Sequence, residues 1–462
     1  ELRRDFRVFQ HLSGPEIASA LLEEAGVASG KELQQIHPPI RYRTQYDEPS
    51  LTFLRRLCEE QGFWYRFEPG DGVDQVVLAD DAKAAPEAPL GAPILMAEEA
   101  GLGGERPRAW NVDVVRERRP GRAKTAGYDF RKPALSVAGD VRAGEPVDEA
   151  TELFLIAPDA VSPEDATRAA AVALEAARTG FERVRFSTST MAVAAGRRFE
   201  LELSEAHRGP EPPQELFCAC VRHFWNQEDG YEGRIEATPA DLPFRLTQRT
   251  PRPRIHGVQS AVVTGPPGQE IHADEDGCVR VRFHWDRTGP TDGESSLPVR
   301  VVHPNLEGSM LLPRIGWEVW VAFENGDPDR PFIVGRAYNG THPPPVALPA
   351  NKSMTMLSTS SSPGAKSTNS ISYDDAAGKQ GLSFNAGKNL TKSVGKNASA
   401  QTLADERTSI EGSKTLSVGA NQDEGVTGPR VVEAKLLNIA VGGNQSIKTP
   451  ATIHSQVGSE TV

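Results

Sequence analysis

Closely spaced cysteines and histidines are the residues of this 462-residue chain with the clearest potential for metal chemistry. Cys218 and Cys220 stand two positions apart in the segment LFCACV, between His207 and His223. Zinc sites usually separate paired cysteines by two or more residues, and strand alternation would turn both thiols towards one buried face. We therefore expect buried apolar thiols and no metal site. Four cysteines in so long a chain also indicate free thiols in a reducing compartment.

The motifs of common enzyme classes are absent from the sequence. It contains no GxxxxGK[ST] phosphate loop, no HExxH zinc motif and no GxSxG nucleophile elbow. Carboxylates are abundant, but a glycosidase pair needs a cleft and one acid with a raised pKa. The sequence indicates neither of these, so we expect no catalytic residues, no enzyme activity and no cofactor.

Length and net charge limit the number of domains and the kinds of binding partner. The length suggests about three domains, and the net charge of −12 argues against nucleic acid or anionic lipid as a partner. No run of 18 apolar residues could span a membrane as a helix. The chain starts at Glu1 without a signal-peptide pattern, so we expect that the natural start lies upstream.

Helix and strand signals fill residues 1–246. Ser13 begins the first predicted helix, and Gly26 ends it. Pro49 and Gly62 bound a second helix, and Ser162 caps an alanine-rich third. The segments RVRFSTS, GRRFELEL and ELFCACVRHFWN predict strands, whereas residues 84–107 have loop composition. These patterns predict an α+β domain with mainly β-barrel content.

Residues 247–345 have the pattern of a small antiparallel β-domain. Val319, Val321 and Phe323 alternate with polar or exposed positions, as in a half-buried strand. The following letters NGDP supply a turn before the return strand FIV. Upstream, the segment GQEIHADEDGCVRVRFHWDR repeats the alternation after an Asp-Gly turn signal.

An eight-residue frame follows the proline-rich segment HPPPVALP. Its positions are Ala386, Val394, Thr402, Ile410, Val418, Val426 and Ala434, and then, after one step of seven, Val441, Thr449 and Val457. Because eight is even, a strand keeps the same side chain inward at every repeat, and glycine after many of these positions permits a tight corner. Repeats this thin cannot bury a core on one chain, but three chains wound together can. The alternative is a disordered tail rich in serine, glycine and asparagine.

Two local predictions accompany the frame. The seven-residue step would turn a strand's faces over, so the chain must absorb it locally. Gly428 tolerates positive φ and Pro429 cannot donate to a ladder, so we predict a bulge, kink or loop between Val426 and Val441. Before the frame, the small polar segment SMTMLSTSSSPGAKSTNS has a composition typical of disorder.

Several of these segments carry a family resemblance. GPPGQEIHADEDGCVRVRFHWDR and PRIGWEVWVAFENGDPDRPFIVGRAYNG resemble the OB-fold domain of VgrG, the valine–glycine repeat spike family of type VI secretion systems. YDEPSLTFLRRLCEEQGFWYRF and GYDFRKPAL resemble the hub domain of that family. The resemblance implies a mainly β protein with an α+β hub containing a β-barrel (residues 1–246, its start missing), an OB-fold collar (247–345), and a linker with a triple-stranded β-helix formed by three chains (346–462). The segment HPNLEGSMLLPRIG departs from the aromatic, glycine-rich loop common in the family.

The resemblance also implies a function and partners. It implies a homotrimeric, membrane-puncturing spike at the tip of a type VI secretion tube, which delivers effectors when a sheath contracts. The implied partners are the tube protein (Hcp) at the hub, a PAAR-type tip protein at the β-helix end, effector proteins and baseplate components. The spike would assemble in the bacterial cytoplasm and then be secreted into or through the target envelope. The predicted trimer core of the β-helix is Val394, Ile410, Val418, Val426, Val441 and Val457.

OB-folds often bind single-stranded nucleic acid through basic grooves and stacked aromatics. Arg280, Arg282 and His284 would be the candidates here. Acidic residues surround them, namely Glu270, Asp274, Glu275, Asp276 and Asp286. We therefore expect no nucleic acid and a solvated or inter-subunit face.

Two other functions stay open on the sequence. One is the baseplate hub or spike of a contractile phage or an extracellular injection particle. The other is an effector-bearing spike with a toxin domain beyond Val462. Related phage spikes carry a lysozyme between the OB-fold and the β-helix, but residues 339–370 are too few for an enzyme here. Such spikes can also hold iron through paired histidines, whereas the repeats contain only His454, so a separate tip protein is expected.

Overall fold

The computed structural model describes residues 3–70, 72–97, 106–144, 150–203, 211–228, 230–364, 366–454, 456–457 and 460–461. Its contacts divide the chain into two units, Glu1–Asn389 and Leu390–Val462. The first unit contains every helix of the described residues and nearly all the strands.

The first unit begins with small sheets covered by two helices. The elements are β1 (Arg4–Phe9), α1 (Gly14–Glu24), β2 (Ser29–Glu32), β3 (Arg43–Pro49), α2 (Ser50–Gln61), β4 (Trp64–Glu68) and β5 (Gln75–Ala79). β1 pairs with β3, and β2, β5 and β4 form a second sheet in that order. The apolar sides of both helices share one core with Phe63, Val76 and Leu78.

The predicted helix boundaries are confirmed. Ser13 and Glu16 form a reciprocal cap at the start of α1, because the Ser13 side chain accepts from the Glu16 amide and the Glu16 carboxylate accepts from the Ser13 amide. α2 ends at Gly62, whose φ of 73° is a left-handed conformation that suits glycine. No helix among the described residues has both the length and the apolar character needed to cross a membrane.

A closed barrel and a separate layer follow. The elements are β6 (Ile94–Met96), β7 (Arg108–Arg116), β8 (Arg122–Ala126), β9 (Ala138–Arg142), β10 (Glu152–Ile156), α3 (Pro163–Arg178), β11 (Glu182–Thr188), β12 (Arg198–Glu202), β13 (Glu215–Asn226) and β14 (Gly230–Pro239). The barrel order is β11-β14-β13-β12-β6-β7. Strands β10, β8 and β9 form a three-stranded sheet, and α3 packs on it through Ala170 and Leu174.

The loop prediction for residues 84–107 was wrong at β6. Ile94 and Met96 are buried in the barrel core, and β6 closes the barrel between two parallel neighbours. Three residues are too few for period-two alternation to be recognised. Residues 98–105 of the predicted loop lie outside the described residues.

The small β-domain forms a five-stranded sheet, as the alternation predicts. Its strands are β15 (Gln259–Thr264), β16 (Arg280–Phe283), β17 (Arg300–Val301), β18 (Glu318–Phe323) and β19 (Pro331–Arg336), in the order β16-β15-β18-β19-β17. The inward residues Val319, Val321 and Phe323 pack with Val281 and Ile333 in one core. The predicted hairpin between β18 and β19 is therefore confirmed.

The segment predicted to be disordered forms strands instead. β20 (Met354–Ser360), β21 (Thr368–Asp374) and β22 (Gly381–Asn385) pair as an antiparallel meander. Composition misled the prediction because the ladder is made by backbone groups, which small polar side chains do not prevent. The meander leaves Leu357, Leu382 and Phe384 exposed in the single chain.

The second unit has almost no regular pairing of its own. Among its described residues, only the two-residue strands β23 (Gln456–Val457) and β24 (Glu460–Thr461) pair within it. Residues 390–454 are all described, and every one of them is exposed in the single chain.

Candidate functional site

The paired thiols do not share one face. Cys218 is buried in the barrel, and burial raises its thiol pKa to about 12. Cys220 is exposed, because the β13–β14 register shifts between the two cysteines and reverses the alternation. The prediction that both thiols are buried was therefore wrong for Cys220. His207 lies outside the described residues, and within them no cluster of His, Cys, Asp and Glu is arranged to hold a metal ion.

The basic residues of β16 make contacts inside their own domain. Arg280 donates to the Ser296 carbonyl, and Arg282 donates to the Asp286 carbonyl at 3.0 Å. His284 is exposed. Because these contacts occupy donors of both guanidiniums, the strand has less capacity to bind phosphates than its sequence alone indicates. The expected solvated or inter-subunit face stays a prediction.

A buried ionic cluster joins the five-stranded sheet to the amino-terminal region. Arg43 on β3 has a fully buried side chain, and its Nη1 lies 2.9 Å from Oδ2 of Asp329 in the β18–β19 turn. The other oxygen of Asp329 accepts from the Thr44 amide at 2.7 Å. Arg43 also lies 2.8 Å from Asp159, between β10 and α3, and 3.1 Å from Glu60 on α2. One guanidinium therefore binds three separate parts of the chain.

Arg252, in the segment after β14, completes the cluster. Its guanidinium donates to Glu60 at 2.7 Å, to Asp159 at 3.0 Å and to Asp327 at 3.1 Å. Bidentate and shared arginine–carboxylate contacts of this kind fix geometry as well as charge. Asp327 and Asp329 both belong to the segment GDPDR, so this turn connects the sheet to the amino-terminal region.

The cluster contains four carboxylates and only two central guanidiniums, and one of its carboxyl groups has a raised pKa. Burial raises the pKa of Asp329 to about 6. The Arg43 guanidinium opposes this rise, and the carboxylates of Asp327 and Asp159 add to it. Burial also acts to raise the pKa of Asp159, but Arg43 and Arg252 together lower it below its usual range.

The backbone of the turn explains its sequence. Asn325 and Gly326 adopt left-handed φ values of 53° and 75°, which asparagine and glycine tolerate best. The Asp327 side chain accepts from the Asp329 amide at 3.0 Å and holds the loop closed. Arg330 then donates to the Pro158 carbonyl at 2.9 Å, beside Asp159 in the chain. The sequence predicts this turn but does not indicate its distant partners.

The eight-residue frame is visible in the backbone of the repeats. Bends occur at 387–388, 395–396, 403–404, 411–412, 419–420, 427–428, 435, 442–443 and 450–451. Each bend directly follows a frame position, so the predicted period is confirmed. The one short step separates the bends at 435 and 442. It lies inside the predicted interval, but Gly428 occupies an ordinary bend, so the role predicted for Gly428 and Pro429 was wrong.

The predicted trimer-core residues differ in exposure from their neighbours. In the single chain Val394, Ile410, Val418, Val426 and Val441 are 45–51% exposed. All other large apolar side chains between residues 390 and 454 are 58–92% exposed. The side chain of Val457 lies outside the described residues.

The backbone of the repeats forms no ladder within its own chain among residues 390–454. Between residues 390 and 454, all of which are described, no backbone amide donates to a backbone carbonyl. Such groups must bind water or another chain, since an unpaired buried one is costly.

Three protein-family profiles match consecutive parts of the sequence. The family described as "Phage tail baseplate hub (GPD)" matches residues 1–229. "Type VI secretion system/phage-baseplate injector OB domain" matches residues 269–338, and "Bacteriophage T4 gp5 C-terminal trimerisation domain" matches residues 354–462. The order of these matches is the order in which barrel, five-stranded sheet and repeats occur in the chain.

Curated relatives decide the family. The spike protein VgrG1a of Pseudomonas aeruginosa is 30% identical over 465 residues, which cover 93% of this chain and 72% of that protein. The chain belongs to the VgrG family of type VI secretion spike proteins. It spans about half the length of two other relatives, VgrG4b (32% identical over 85% of this chain and 51% of the relative) and VgrG5 (54% of the relative), both from the same organism.

One relative within the VgrG family has a different name. The "Actin cross-linking toxin VgrG1" of Vibrio cholerae is 29% identical over 99% of this chain and 42% of its own length. Among solved structures, the E. coli c3393 protein, a component of a type VI secretion system, gives a TM-score of 0.49 at 20% identity. The alignment covers 72% of this chain and 74% of that one.

Family membership confirms the predicted fold class, a mainly β VgrG chain with hub, OB-fold and trimerising carboxyl-terminal domain. It also gives the GDPDR segment a physical role in this VgrG chain. The resemblance identified that segment as a family feature, and the structure shows that Asp329 binds Arg43 of the amino-terminal region and that Asp327 binds Arg252, in the segment after β14.

Proposed function

We propose that this chain is the puncturing spike of a type VI secretion tube, and that three copies form a rigid needle driven through a target envelope by sheath contraction. The needle transmits force along its axis and performs no chemistry. The proposal extends to this chain what the names of its relatives say of them.

The observation that carries the proposal is the state of the repeats in a single chain. They bend every eight residues with one step of seven, and a less exposed valine or isoleucine precedes five of these bends. Between residues 390 and 454 they make no backbone–backbone hydrogen bonds to each other. Three intertwined chains would supply those hydrogen bonds and bury the apolar row, as the match to a trimerisation domain supports. A continuous ladder of this kind resists buckling because every strand is held on both sides.

We propose a division of labour along the chain. Residues 1–246 form the hub, 247–345 the OB-fold collar, and 346–462 the linker and needle. The side chains of Val394, Ile410, Val418, Val426, Val441 and Val457 point to the shared axis. The three family matches support these boundaries without fixing their ends.

We propose the partners from the same reasoning. The tube protein (Hcp) binds the hub, a PAAR-type tip protein covers the needle end, and effector proteins and baseplate components attach to the assembled spike. The spike assembles in the bacterial cytoplasm and leaves it with the tube. No catalytic step is assigned to residues 1–462, and the activity named for the Vibrio cholerae relative is left to that protein.

The test begins with native mass spectrometry of the purified chain, for which we expect the mass of three chains. The chain is then expressed in a type VI-competent strain that lacks its own spike, and the secreted tube protein is measured. Restored secretion supports the proposal. A single-chain mass, or a trimer that never restores secretion in any competent strain, contradicts it.

The second candidate is a baseplate hub of a contractile phage or injection particle, favoured by the match to the phage tail baseplate hub family. It predicts that the chain copurifies with intact tail particles. Recovery in the secreted fraction without such particles excludes it.

A further inference from the structure

A two-stranded hairpin projects from the barrel. β13 pairs with β14 along its whole length, from the pair of Leu216 with Pro239 to the pair of Asn226 with Gly230. On its other side, β14 pairs with β11 only as far as Gly233. β12 flanks β13 only at residues 215–217. The outer half of the hairpin therefore has no third strand among the described residues. Two-stranded hairpins in water are marginally stable unless something packs against them.

The outer half of this hairpin carries aromatic side chains. Trp225 is 72% exposed and Phe224 is 43% exposed, and Met191 from the β11–β12 loop lies beside them at 72% exposure. His223 Nδ1 lies 2.6 Å from the Tyr231 hydroxyl, which fixes that tyrosine across the hairpin. These residues line a shallow cleft of about 410 Å³. Trp225 is exposed and Tyr231 half-buried in this patch, and tryptophan and tyrosine are enriched at binding hot spots.

A second strand edge without a neighbour lies in the three-stranded sheet that packs against α3. β10 is the edge strand of the β10-β8-β9 sheet and pairs only with β8 among the described strands. Its Phe154 and Ile156 are 59% and 68% exposed, on the side away from α3. Open apolar edges are templates for pairing with another chain.

Three-fold symmetry selects which surfaces meet. An interface away from a three-fold axis joins one patch of a copy to a different patch of the next copy. Beyond the hairpin, β10 is the one described strand of residues 1–246 that exposes two large apolar side chains on one face. The trimerisation domain holds three copies together, so the amino-terminal regions meet at high effective concentration.

We propose that the β13–β14 hairpin of one copy docks on the exposed edge of β10 in the next copy, so that three such contacts close the amino-terminal regions into a ring. Trp225 packs against Phe154 and Ile156 of the neighbouring copy. This inference rests on the trimer proposed above and adds a contact outside the needle.

The test uses cysteine cross-linking of the full chain. Cys220→Ser removes the exposed native thiol, and Gln227→Cys at the hairpin tip is combined with Glu152→Cys on β10. A short bismaleimide is added, and native mass is recorded before the reaction. We expect covalent trimers on a denaturing gel. The matched control replaces Glu152→Cys with Thr167→Cys, an exposed position on α3, which covers the other face of the same sheet.

A second variant tests the anchor itself. Trp225→Ser in the cross-linking background should lower the yield of covalent trimer about tenfold, the scale of a hot-spot truncation. Because Trp225 is mostly exposed within its own chain, the fold should not change.

Three results would overturn the docking proposal. The first is equal cross-linking to Glu152→Cys and Thr167→Cys. The second is cross-linking by Gln227→Cys alone, which would mean that the hairpins meet each other. The third is a trimeric mass without covalent products, which would leave the needle proposal intact. A single-chain mass would instead remove both proposals together.

Discussion

The ionic cluster and the repeats satisfy their polar groups in opposite ways. In the cluster, Arg43 is fully buried, and carboxylates from three other segments of the same chain surround it. In the repeats, residues 390–454 make no backbone–backbone hydrogen bonds among themselves and remain exposed in the single chain. The cluster therefore forms its ion pairs within one chain, whereas the repeats leave most of their backbone groups to water or to other chains. Substitutions in the cluster should change the stability of each chain, whereas substitutions in the repeats should change assembly in a concentration-dependent way.

The largest expected effect comes from removing one of the two regions altogether. A chain ending at Pro349 should lose most of its trimer, because the meander and the frame are gone, while the amino-terminal region and the sheet stay folded. Native mass spectrometry should then show mainly single chains at low micromolar concentration. The unfolding midpoint of the remaining domains should shift by no more than about 4 °C. A truncated chain that keeps a full trimer would place the main assembly contacts outside the needle.

The next effect concerns the buried arginine of the cluster. Arg43→Met removes one cation and leaves its carboxylate partners crowded together, so the free energy of unfolding should fall by about 3–5 kcal/mol. Urea unfolding of the full chain measures this value. Arg4→Met is the matched control, since Arg4 forms an exposed pair with Asp47 and should cost less than about 1 kcal/mol. Equal losses for the two variants would mean that Arg43 in the cluster stabilises the fold no more than an exposed ion pair does.

A smaller effect should separate frame positions from their neighbours in the repeats. Val418→Asp would bring three carboxylates to the axis of the trimer, so the trimer should lose about 3 kcal/mol. Leu403→Asp is the control, because Leu403 is 92% exposed and lies off the frame. Analytical ultracentrifugation over a dilution series should show dissociation for the first variant alone. Dissociation caused equally by the second would refute the frame.

The smallest effect is a pH dependence confined to the cluster. The folded-state pKa of Asp329 is about 6, above the ordinary pKa of an aspartate, so the folded chain binds this proton more tightly than the unfolded chain. Its contribution therefore makes the fold more stable as pH falls from 7 towards 4. Asp329→Asn should remove that gain, which corresponds to about 1–3 kcal/mol. Urea unfolding at pH 7 and pH 5 measures the free energy of unfolding of the natural chain and of the Asp329→Asn variant. If the two proteins change equally between these pH values, Asp329 does not have the raised pKa.

The sequence predicted those features whose signals are local. Caps at Ser13 and Ser162 specify where helices begin, because each is read within four residues. The frame could also be recognised, since its period repeats many times. Both Asp329 and Arg43 are ordinary in their local segments, and 286 positions separate them. Nothing in either segment indicates which distant charge will be its partner, so the cluster could not be predicted.

Other failures had a different physical origin. Cys220 is exposed because one bulge changes the parity of β13, and no residue type announces such a bulge. The meander of residues 354–385 formed where composition indicated disorder, because pairing depends on backbone groups that composition does not describe. The short strand at Ile94 is specified by its neighbours in the barrel, not by its own three residues.

The seven-residue step between the bends at 435 and 442 has a consequence for how three chains find their alignment. A needle of identical repeats would let one chain slide along the others by a whole repeat and still match most of its partners. Such sliding is a known weakness of uniform strands. A single shorter interval specifies a unique register, because only one alignment places it at the same height in all three chains. Any slipped arrangement would pair a long interval with the short one and turn an apolar row outwards.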